Sequence, residues 1–351
     1  MLDKNPFNIT FGKEPIEIIS RKNDLEEIYN SLSLGLSNNE VFIISGVRGC
    51  GKTVAMTSIS DFYKKERNWI VVDLNPECDL LEQLASKLLD EGKLKKLFIK
   101  AEFNFSFQGF GISLKGETPI SNVSSLLKKE FEYLKDKDIK VLITIDEILK
   151  NKYTKVFAHE FQSFLREKYN VYLVMTGLYQ NVSSFTKEKS LTFLYRAPKI
   201  FLKPLNLMSI SNSYKNIFDI SNDESLKLAK FTNGYAYAYQ LLGDILFSSK
   251  DYFLSKENIQ KFDETIYERA YSIIYSELTD KEKEILLVAL DNPLNEYVIT
   301  RINISKSQLS NYKNVLFKKG IIENNPKSIV FSLPRFKECL MFEKEIDNIE
   351  F

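Results

Sequence analysis

A glycine-rich stretch constrains the fold of this chain more than any other feature. Residues 41–56 read VFIISGVRGCGKTVAM, which is an apolar run followed by glycines, a lysine and a threonine. The apolar run predicts a buried parallel strand, and the residues after the lysine predict a helix. Glycines let the backbone turn its N–H groups toward an anion, and a helix N-terminus adds its dipole. The stretch therefore predicts an α/β fold with an anion-binding turn after a strand.

The spacing of this turn, Gly46-x-x-x-x-Gly51-Lys52-Thr53, is a complete Walker A signature. In this motif the lysine reaches the β and γ phosphates of a nucleoside triphosphate, and the hydroxyl is a ligand of Mg²⁺. We therefore predict phosphate binding by Lys52 and a metal ligand in Thr53. The predicted nucleotide-binding residues of the turn are Gly46, Val47, Arg48, Gly49, Cys50, Gly51, Lys52, Thr53 and Val54.

A second motif, KVLITIDEILK, places two carboxylates at the end of an apolar strand predicted over residues 141–145. Asp146 would hold Mg²⁺, and Glu147 would polarise the attacking water. An acidic strand end is also common in α/β proteins without such a role. The Walker A signature earlier in the chain favours the catalytic interpretation, with Asp146 as the Walker B carboxylate.

Further apolar runs alternate with helical segments. WIVVDL (69–74) and VYLVMTG (171–177) predict buried strands, helices are predicted over 80–89 and 155–168, and APKIFLKPL (197–205) predicts a fifth strand. This alternation is typical of a parallel sheet that helices cover on both faces.

Composition excludes several classes of protein. Of 351 residues 44% are hydrophobic, enough for more than one domain of about 100–200 residues each, and the formal charge of +1 predicts no partner. Three cysteines without metal-ligand spacing and a single histidine, His159, argue against zinc sites, disulfide scaffolds and Ser-His or Cys-His hydrolases. We expect His159 to be a structural or surface residue. No segment approaches about 18 uninterrupted apolar residues, so we expect a cytoplasmic protein without a membrane partner.

With these motifs the chain resembles AAA+-type P-loop ATPases, and most of all the origin-initiator-like and STAND-like bacterial and archaeal ATPases with a C-terminal winged helix. The resemblance implies ATP or ADP and Mg²⁺ as cofactors. It also implies that Thr176, at the end of the strand after the Asp-Glu strand, senses the γ-phosphate. Arg196 precedes the last strand, where such proteins place an arginine finger that acts on a neighbouring subunit of a homo-oligomer or in cis. The alternative is a surface arginine that ends a helix.

The segment NPFNITFGKEPIEIISRKNDLEEI resembles the Gly-Arg-Glu-type element that packs against adenine in these ATPases. Ile19, Ser20 and Arg21 are therefore candidate base and ribose contacts. The alternative is a loop that caps a helix predicted over residues 23–31.

Two features depart from the family pattern. FTNGYAYAYQLLGDI (231–245) occupies the lid-helix position, but Gly234-Tyr235-Ala236 carries neither the Gly-x-Pro nor the sensor arginine of relatives. The lid would therefore either respond weakly to the nucleotide or use a different residue in place of the missing arginine, and we expect slow hydrolysis. FIKAEFNFSFQGFGISLKG predicts a β-hairpin insertion at about 97–115, whose aromatic stripe either packs on the ATPase core or contacts nucleic acid or a subunit; packing is favoured.

The C-terminal third predicts helices over 208–218, 223–231, 235–247 and 256–275, which would form the lid. Thr279 is a predicted N-cap, and the order of short helix, longer helix ending at Gly320 and hairpin at residues 324–326 is typical of a winged helix. No acidic residue occurs from 297 to 322. The sequence favours contact with double-stranded DNA, with a protein partner as the alternative. The candidate DNA contacts are Lys306, Ser307, Gln308, Asn311, Lys313 and Lys327.

The predicted organisation is an ATPase domain (1–205), a helical lid (206–270) and a winged-helix domain (271–351). The predicted function is slow ATP hydrolysis in which the nucleotide state controls a DNA-contacting winged helix. The alternative is a STAND-like switch that hardly turns nucleotide over and holds a protein partner.

Overall fold

The computed structural model describes residues 4–10, 15–34, 39–91, 123–188 and 191–349. The chain divides into two compact units. We call Asn23–Ser45 and Lys52–Ile200 the sheet unit, and Met1–Lys22, Gly46–Gly51 and Phe201–Phe351 the helical unit. The hairpin predicted at about 97–115 lies outside the described residues, and the three predicted domain boundaries stay predictions.

The sheet unit alternates strands and helices, as the sequence predicts. Its elements are α1 (Glu26–Leu34), β1 (Val41–Ser45), α2 (Lys52–Lys64), β2 (Trp69–Leu74), α3 (Leu80–Asp90), α4 (Val123–Asp136), β3 (Lys140–Ile145), α5 (Lys152–Arg166), β4 (Val171–Gly177), α6 (Tyr179–Thr186), α7 (Thr192–Arg196) and β5 (Lys199–Phe201). The strand order is β2-β3-β4-β1-β5, and β1–β4, β2–β3 and β3–β4 pair in parallel. The extra strand β4 therefore separates the strands that carry the two motifs.

The central strands of this sheet are mostly apolar because both faces are covered. Every residue of β1 is buried, and so are the last five residues of β3. In α5 the apolar side chains Phe157, Phe161 and Phe164 recur at helical spacing and are buried, whereas His159 lies exposed between them. Strand β5 spans three residues rather than the nine predicted, since Pro198 and Pro204 flank it and proline cannot donate to a ladder.

The helical unit contains nine α-helices among its described residues and one π-helical turn. They are α8 (Leu207–Phe218), α9 (Asn222–Thr232), α10 (Ala236–Ser249), α11 (Lys256–Ile266), the π turn (Tyr267–Tyr271), α12 (Ser272–Ser276), α13 (Asp280–Asp291), α14 (Asn295–Ile302), α15 (Lys306–Lys318) and α16 (Phe336–Ile349). Phe7 from the N-terminal segment is buried among the aromatic rings of Tyr214, Phe218 and Tyr239. The N-terminal segment thus contributes to the core of this unit.

Two of the C-terminal helices begin with capping boxes, the first of them at the predicted N-cap Thr279. Thr279 forms a capping box with Glu282 at the start of α13, and Ser305 forms one with Gln308 at the start of α15. Residues after α15 take part in two isolated antiparallel bridges, one from Ser328 back to Leu294 before α14 and one between Ile322 and Phe331. Across the described part of the chain, none of the helices combines the length and the apolar character that crossing a membrane requires.

Candidate nucleotide-binding site

The Walker A loop joins the end of β1 to the start of α2. It runs from Gly46 to Gly51, and Lys52 is the first residue of the helix. Gly49 (φ 77°) and Gly51 (φ 91°) both adopt left-handed backbone conformations, which residues with a Cβ avoid. Such positions let successive N–H groups converge on an anion. The local geometry therefore agrees with the anion-binding turn that the spacing predicts.

In the sheet unit, two hydroxyl groups orient the carboxylate of Asp146. The Oγ1 of Thr53 donates a hydrogen bond to Asp146 Oδ2 at 2.7 Å. The hydroxyl of Thr176 donates to Asp146 Oδ1. Thr176 reaches this carboxylate because β4 pairs directly with β3, with Ile145 opposite Met175. The structure thus brings together three of the residues that the sequence selected.

Glu147 occupies a tight turn directly after β3. Its φ of 51° lies in the left-handed region, an uncommon conformation for a residue other than glycine. The Glu147 N–H donates to Asp146 Oδ1 and to Thr176 Oγ1, both at 3.1 Å, and its side chain is exposed. The same hydroxyl of Thr176 therefore fixes both acidic residues. The turn leaves the Glu147 carboxylate free to meet solvent at the strand end.

The Thr53 hydroxyl and the Asp146 carboxylate fit a magnesium ion. Both supply hard oxygen atoms, and Mg²⁺ is commonly held by one or two protein oxygens together with water and substrate phosphates. Their 2.7 Å separation shows that the two groups already converge on one place. Among the described residues no group of three or more histidine, cysteine or carboxylate side chains forms another candidate metal site.

In the helical unit, three successive carbonyl groups of the Walker A loop accept hydrogen bonds. The Tyr235 hydroxyl donates to Arg48 O at 2.6 Å, the Tyr237 N–H to Gly49 O at 3.0 Å, and the Arg21 Nη2 to Cys50 O at 2.6 Å. Sequence reasoning missed the two tyrosine contacts. The only signal was the unusual Gly234-Tyr235-Ala236 where a proline or an arginine is typical.

Arg21 is bound to backbone carbonyls in this structure. Besides Cys50 O, its guanidinium donates to Lys203 O at 2.7 Å. Of the other two candidate base and ribose contacts, Ile19 packs against the core of the helical unit and Ser20 is exposed. The contact of these three residues with a nucleotide base stays a prediction.

An ion pair links the Walker A loop to the end of α12. Arg48 Nη2 lies 3.0 Å from Glu277 Oε1, and both side chains are partly exposed. Because exposed ion pairs contribute little, about 0–1 kcal/mol, we give this contact no large energetic weight. Arg196, the predicted arginine finger, ends α7 with an exposed side chain.

The candidate DNA contacts on α15 separate into two groups. Lys306, Ser307, Gln308 and Asn311 are exposed, as is Lys327 after the helix. The ammonium group of Lys313 instead donates to three oxygens of the chain, those of Asn295 Oδ1, Asn325 O and Ser328 O, at 2.7–3.0 Å. An ammonium has three N–H donors, so all of them are used within the protein. We therefore do not retain Lys313 as a DNA contact.

No protein-family model matches the sequence, and no curated protein matches it. Among solved structures, a Walker-type ATPase of Pyrococcus abyssi superposes with a TM-score of 0.62 at 15% identity, over 92% of this chain and 96% of that one. The ORC2 protein of Aeropyrum pernix superposes in its ADPNP–ADP complexes with a TM-score of 0.55 at 14% identity, over 97% and 98% of the chains, and in its ADP form with 0.50 at 14%, over 96% and 97%.

At identities this low, the likeness shows the fold alone. The chain has the mixed α/β fold of the Walker-type ATPase and of the ORC2 protein, with a five-stranded sheet. This likeness confirms the predicted α/β fold class and agrees with the resemblance that the motifs indicate. The winged helix stays a prediction.

Proposed function

We propose that the protein binds ATP with Mg²⁺ and hydrolyses it slowly. The observation that carries this proposal is the pairing of Thr53, one residue after the Walker A lysine, with the strand-end carboxylate of Asp146 at 2.7 Å. A Walker A turn on its own binds phosphate, whereas this pair adds a place for the metal ion that phosphoryl transfer requires. The similar ORC2 protein of Aeropyrum pernix, whose structures are an ADPNP–ADP complex and an ADP form, supports the same choice.

The roles of the residues follow from their chemistry. The N–H groups of residues 49–53 and the ammonium of Lys52 would bind the phosphates, and Thr53 and Asp146 would hold Mg²⁺. Bound Mg²⁺ neutralises negative charge on the phosphate oxygens. The exposed Glu147 would accept a proton from water as the water oxygen bonds to the γ-phosphorus and the bond to the β–γ bridging oxygen breaks, which leaves ADP and phosphate.

Thr176 and Arg196 would complete the site. Thr176 bonds to Asp146 and to the Glu147 N–H, so we propose that its response to the γ-phosphate passes through these two residues. Arg196 would supply positive charge for the transition state, in cis or to a second copy of the chain. The absence of a basic residue at positions 234–236 supports slow turnover, because a cation is missing from the lid-helix position.

Equilibrium binding tests the nucleotide site directly. We expect ATP with Mg²⁺ to bind the full chain, and Lys52→Ala to lose most of that affinity. Lys64→Ala is the matched control, since Lys64 ends the same helix and pairs with Asp73. Equal affinities for the parent and Lys52→Ala would contradict the proposal.

The exposed face of α15 supports a second part of the proposal, that the nucleotide state controls contact with duplex DNA. Lys306 and Asn311 are exposed there, in a region of the sequence without acidic residues. The large exposed apolar side chains of Leu294 (53% exposed) and Phe317 (45% exposed) favour the alternative, a docking surface for a protein partner.

Salt-dependent binding separates these alternatives. If α15 contacts phosphates, duplex affinity of the full chain should fall with salt, and Lys306→Ala with Lys327→Ala should reduce the slope by about 2, since each phosphate contact contributes about 0.9. Lys256→Ala, at an exposed position on α11, should leave the slope unchanged. No duplex binding at low salt would favour the switch that docks a protein.

A further inference from the structure

The lid helix of this protein begins with a tyrosine that approaches the Walker A loop very closely. Tyr235 is the N-cap residue of α10, and its side chain is 5% exposed. A Cβ on Gly49 would lie 2.4 Å from the Tyr235 Oη, which is closer than atoms tolerate. Gly49 is therefore required both by its positive φ and by the approach of this hydroxyl.

Tyr235 is held rigidly against the loop. Gly234, with a φ of 73°, sets the turn before it, where a Cβ would meet Leu205 O at 2.6 Å. The ring of Tyr235 stacks on that of Tyr271 in the π turn, with ring centroids 6.2 Å apart and ring planes at 22°. Burial raises the pKa of Tyr235, so the hydroxyl stays protonated and remains a donor at neutral pH.

Tyr235, Tyr237 and Arg21 each donate one hydrogen bond to a carbonyl oxygen of the loop. Arg48 O, Gly49 O and Cys50 O are successive acceptors. A peptide group is planar and its N–H and C=O point in opposite directions, so tethering a carbonyl fixes the direction of the next N–H. Three bound carbonyls thus orient the N–H groups of residues 49, 50 and 51, of which that of Cys50 donates to Val47 O at 3.2 Å within the loop.

We propose that Tyr235 and Arg21 are positioning residues that preorganise the Walker A loop for triphosphate through its carbonyl groups. In this arrangement the lid helix affects nucleotide binding through the backbone of the Walker A loop. These backbone contacts take the place of a lid arginine that would contact the phosphates directly. The inference rests on the proposed ATP-binding function and assigns to these two residues a task in that same site. It replaces base recognition as the main contribution of Arg21.

The test is the Kd of the full chain for ATP and for inorganic triphosphate, each with Mg²⁺. Tyr235→Phe removes one donor, and we expect the Kd for both ligands to rise about tenfold, the size of effect that one net hydrogen bond supports. Tyr214→Phe is the matched control, because its buried hydroxyl donates to Tyr239 O at 2.7 Å, away from the loop. It should lower stability similarly and leave both Kd values unchanged.

Variants of Arg21 provide a second, independent test, which remains valid if Tyr235→Phe fails to fold. Arg21→Ala should weaken ATP and inorganic triphosphate by the same factor, and Arg21→Lys, which can tether one carbonyl, should restore part of the affinity. Weaker binding of ATP with unchanged binding of triphosphate would assign Arg21 to the base and overturn the inference for it. Equal Kd values for the parent, Tyr235→Phe and Tyr214→Phe would overturn it for Tyr235.

Failure of the inference is distinguishable from failure of the proposed function. If Lys52→Ala loses ATP and Tyr235→Phe keeps the parental affinity, only the positioning role is wrong. If the parent and Lys52→Ala bind equally, the nucleotide site itself is wrong and the inference falls with it.

Discussion

Replacing Thr176 by valine isolates the hydrogen bonds that hold the acidic residues. Thr176 is fully buried, and its hydroxyl donates to Asp146 and accepts from the Glu147 N–H. Valine has nearly the same shape but cannot make either bond, and water cannot replace them at a buried site. Asp146 keeps the Thr53 hydroxyl, and the Glu147 N–H keeps Asp146 Oδ1. The change therefore loosens the acidic pair without removing it.

The magnitude follows from the type of bond lost. A hydrogen bond to a charged group contributes about 1.5–3 kcal/mol. If that energy is lost from the transition state, kcat falls roughly 10-fold to 100-fold, at about 1.4 kcal/mol per factor of ten. Binding of ATP should change little, because Thr176 touches the carboxylates and the Walker A residues are intact. Steady-state hydrolysis, with the Kd measured in parallel, separates the two effects.

Thr144→Val is the matched control for this prediction. Thr144 is equally buried on the adjacent strand β3, and its hydroxyl also donates to a carboxylate, that of Asp73 on β2. We expect Thr144→Val to lower the free energy of unfolding as much as Thr176→Val and to leave kcat unchanged. Equal turnover in the two variants would refute the assignment of Thr176 to the site.

Three further predictions concern residues whose environment the structure defines. Lys313→Met should lower the free energy of unfolding by about 2 kcal/mol, because it leaves three oxygens without their charged donor. Lys306→Met, at an exposed position, should have almost no effect. Urea unfolding followed by circular dichroism measures both variants. Phe7→Ala should cost about 3–5 kcal/mol in the same assay, because it empties a buried aromatic cluster, and a loss near zero would contradict the burial. Burial raises the pKa of Glu130 well above its usual range, and neither carboxyl oxygen has a hydrogen-bond partner within the described chain. The cost of burying this carboxyl group is therefore smallest below pH 4.5 and grows as the pH rises toward the raised pKa. Glu130→Met should increase the free energy of unfolding by about 1–3 kcal/mol at pH 7 and by less at pH 4. An equal gain at both pH values would refute the reasoning.

The sequence predicted the sheet unit well because its strands are continuous apolar runs. Residues 69–74 and 171–177 are strands with the predicted bounds, and the predicted carboxylate after β3 lies beside the Thr53 hydroxyl. The periodicity of a buried parallel strand and the spacing of a motif are both local. Local signals of this kind can be read without knowing what packs against them.

The contacts of the Walker A loop could not be predicted in the same way. Arg21, Cys50 and Tyr235 are far apart in sequence, and hydrogen bonds to backbone carbonyls place no demand on the identity of the acceptor residue. Lys313 shows the same limit, because a lysine on a polar helix face has the same local pattern whether its ammonium meets phosphate or three oxygens of its own chain. Only tertiary structure separates these cases.

The measurement that tests the central claim most directly is single-turnover and steady-state ATP hydrolysis by the full chain, with Lys52→Ala and Glu147→Gln as variants. The account predicts slow, Mg²⁺-dependent turnover by the parent. It predicts loss of ATP binding in Lys52→Ala, and retained binding without hydrolysis in Glu147→Gln. Tight ATP binding by the parent with no turnover under any condition, or Glu147→Gln that hydrolyses ATP as fast as the parent, would contradict it.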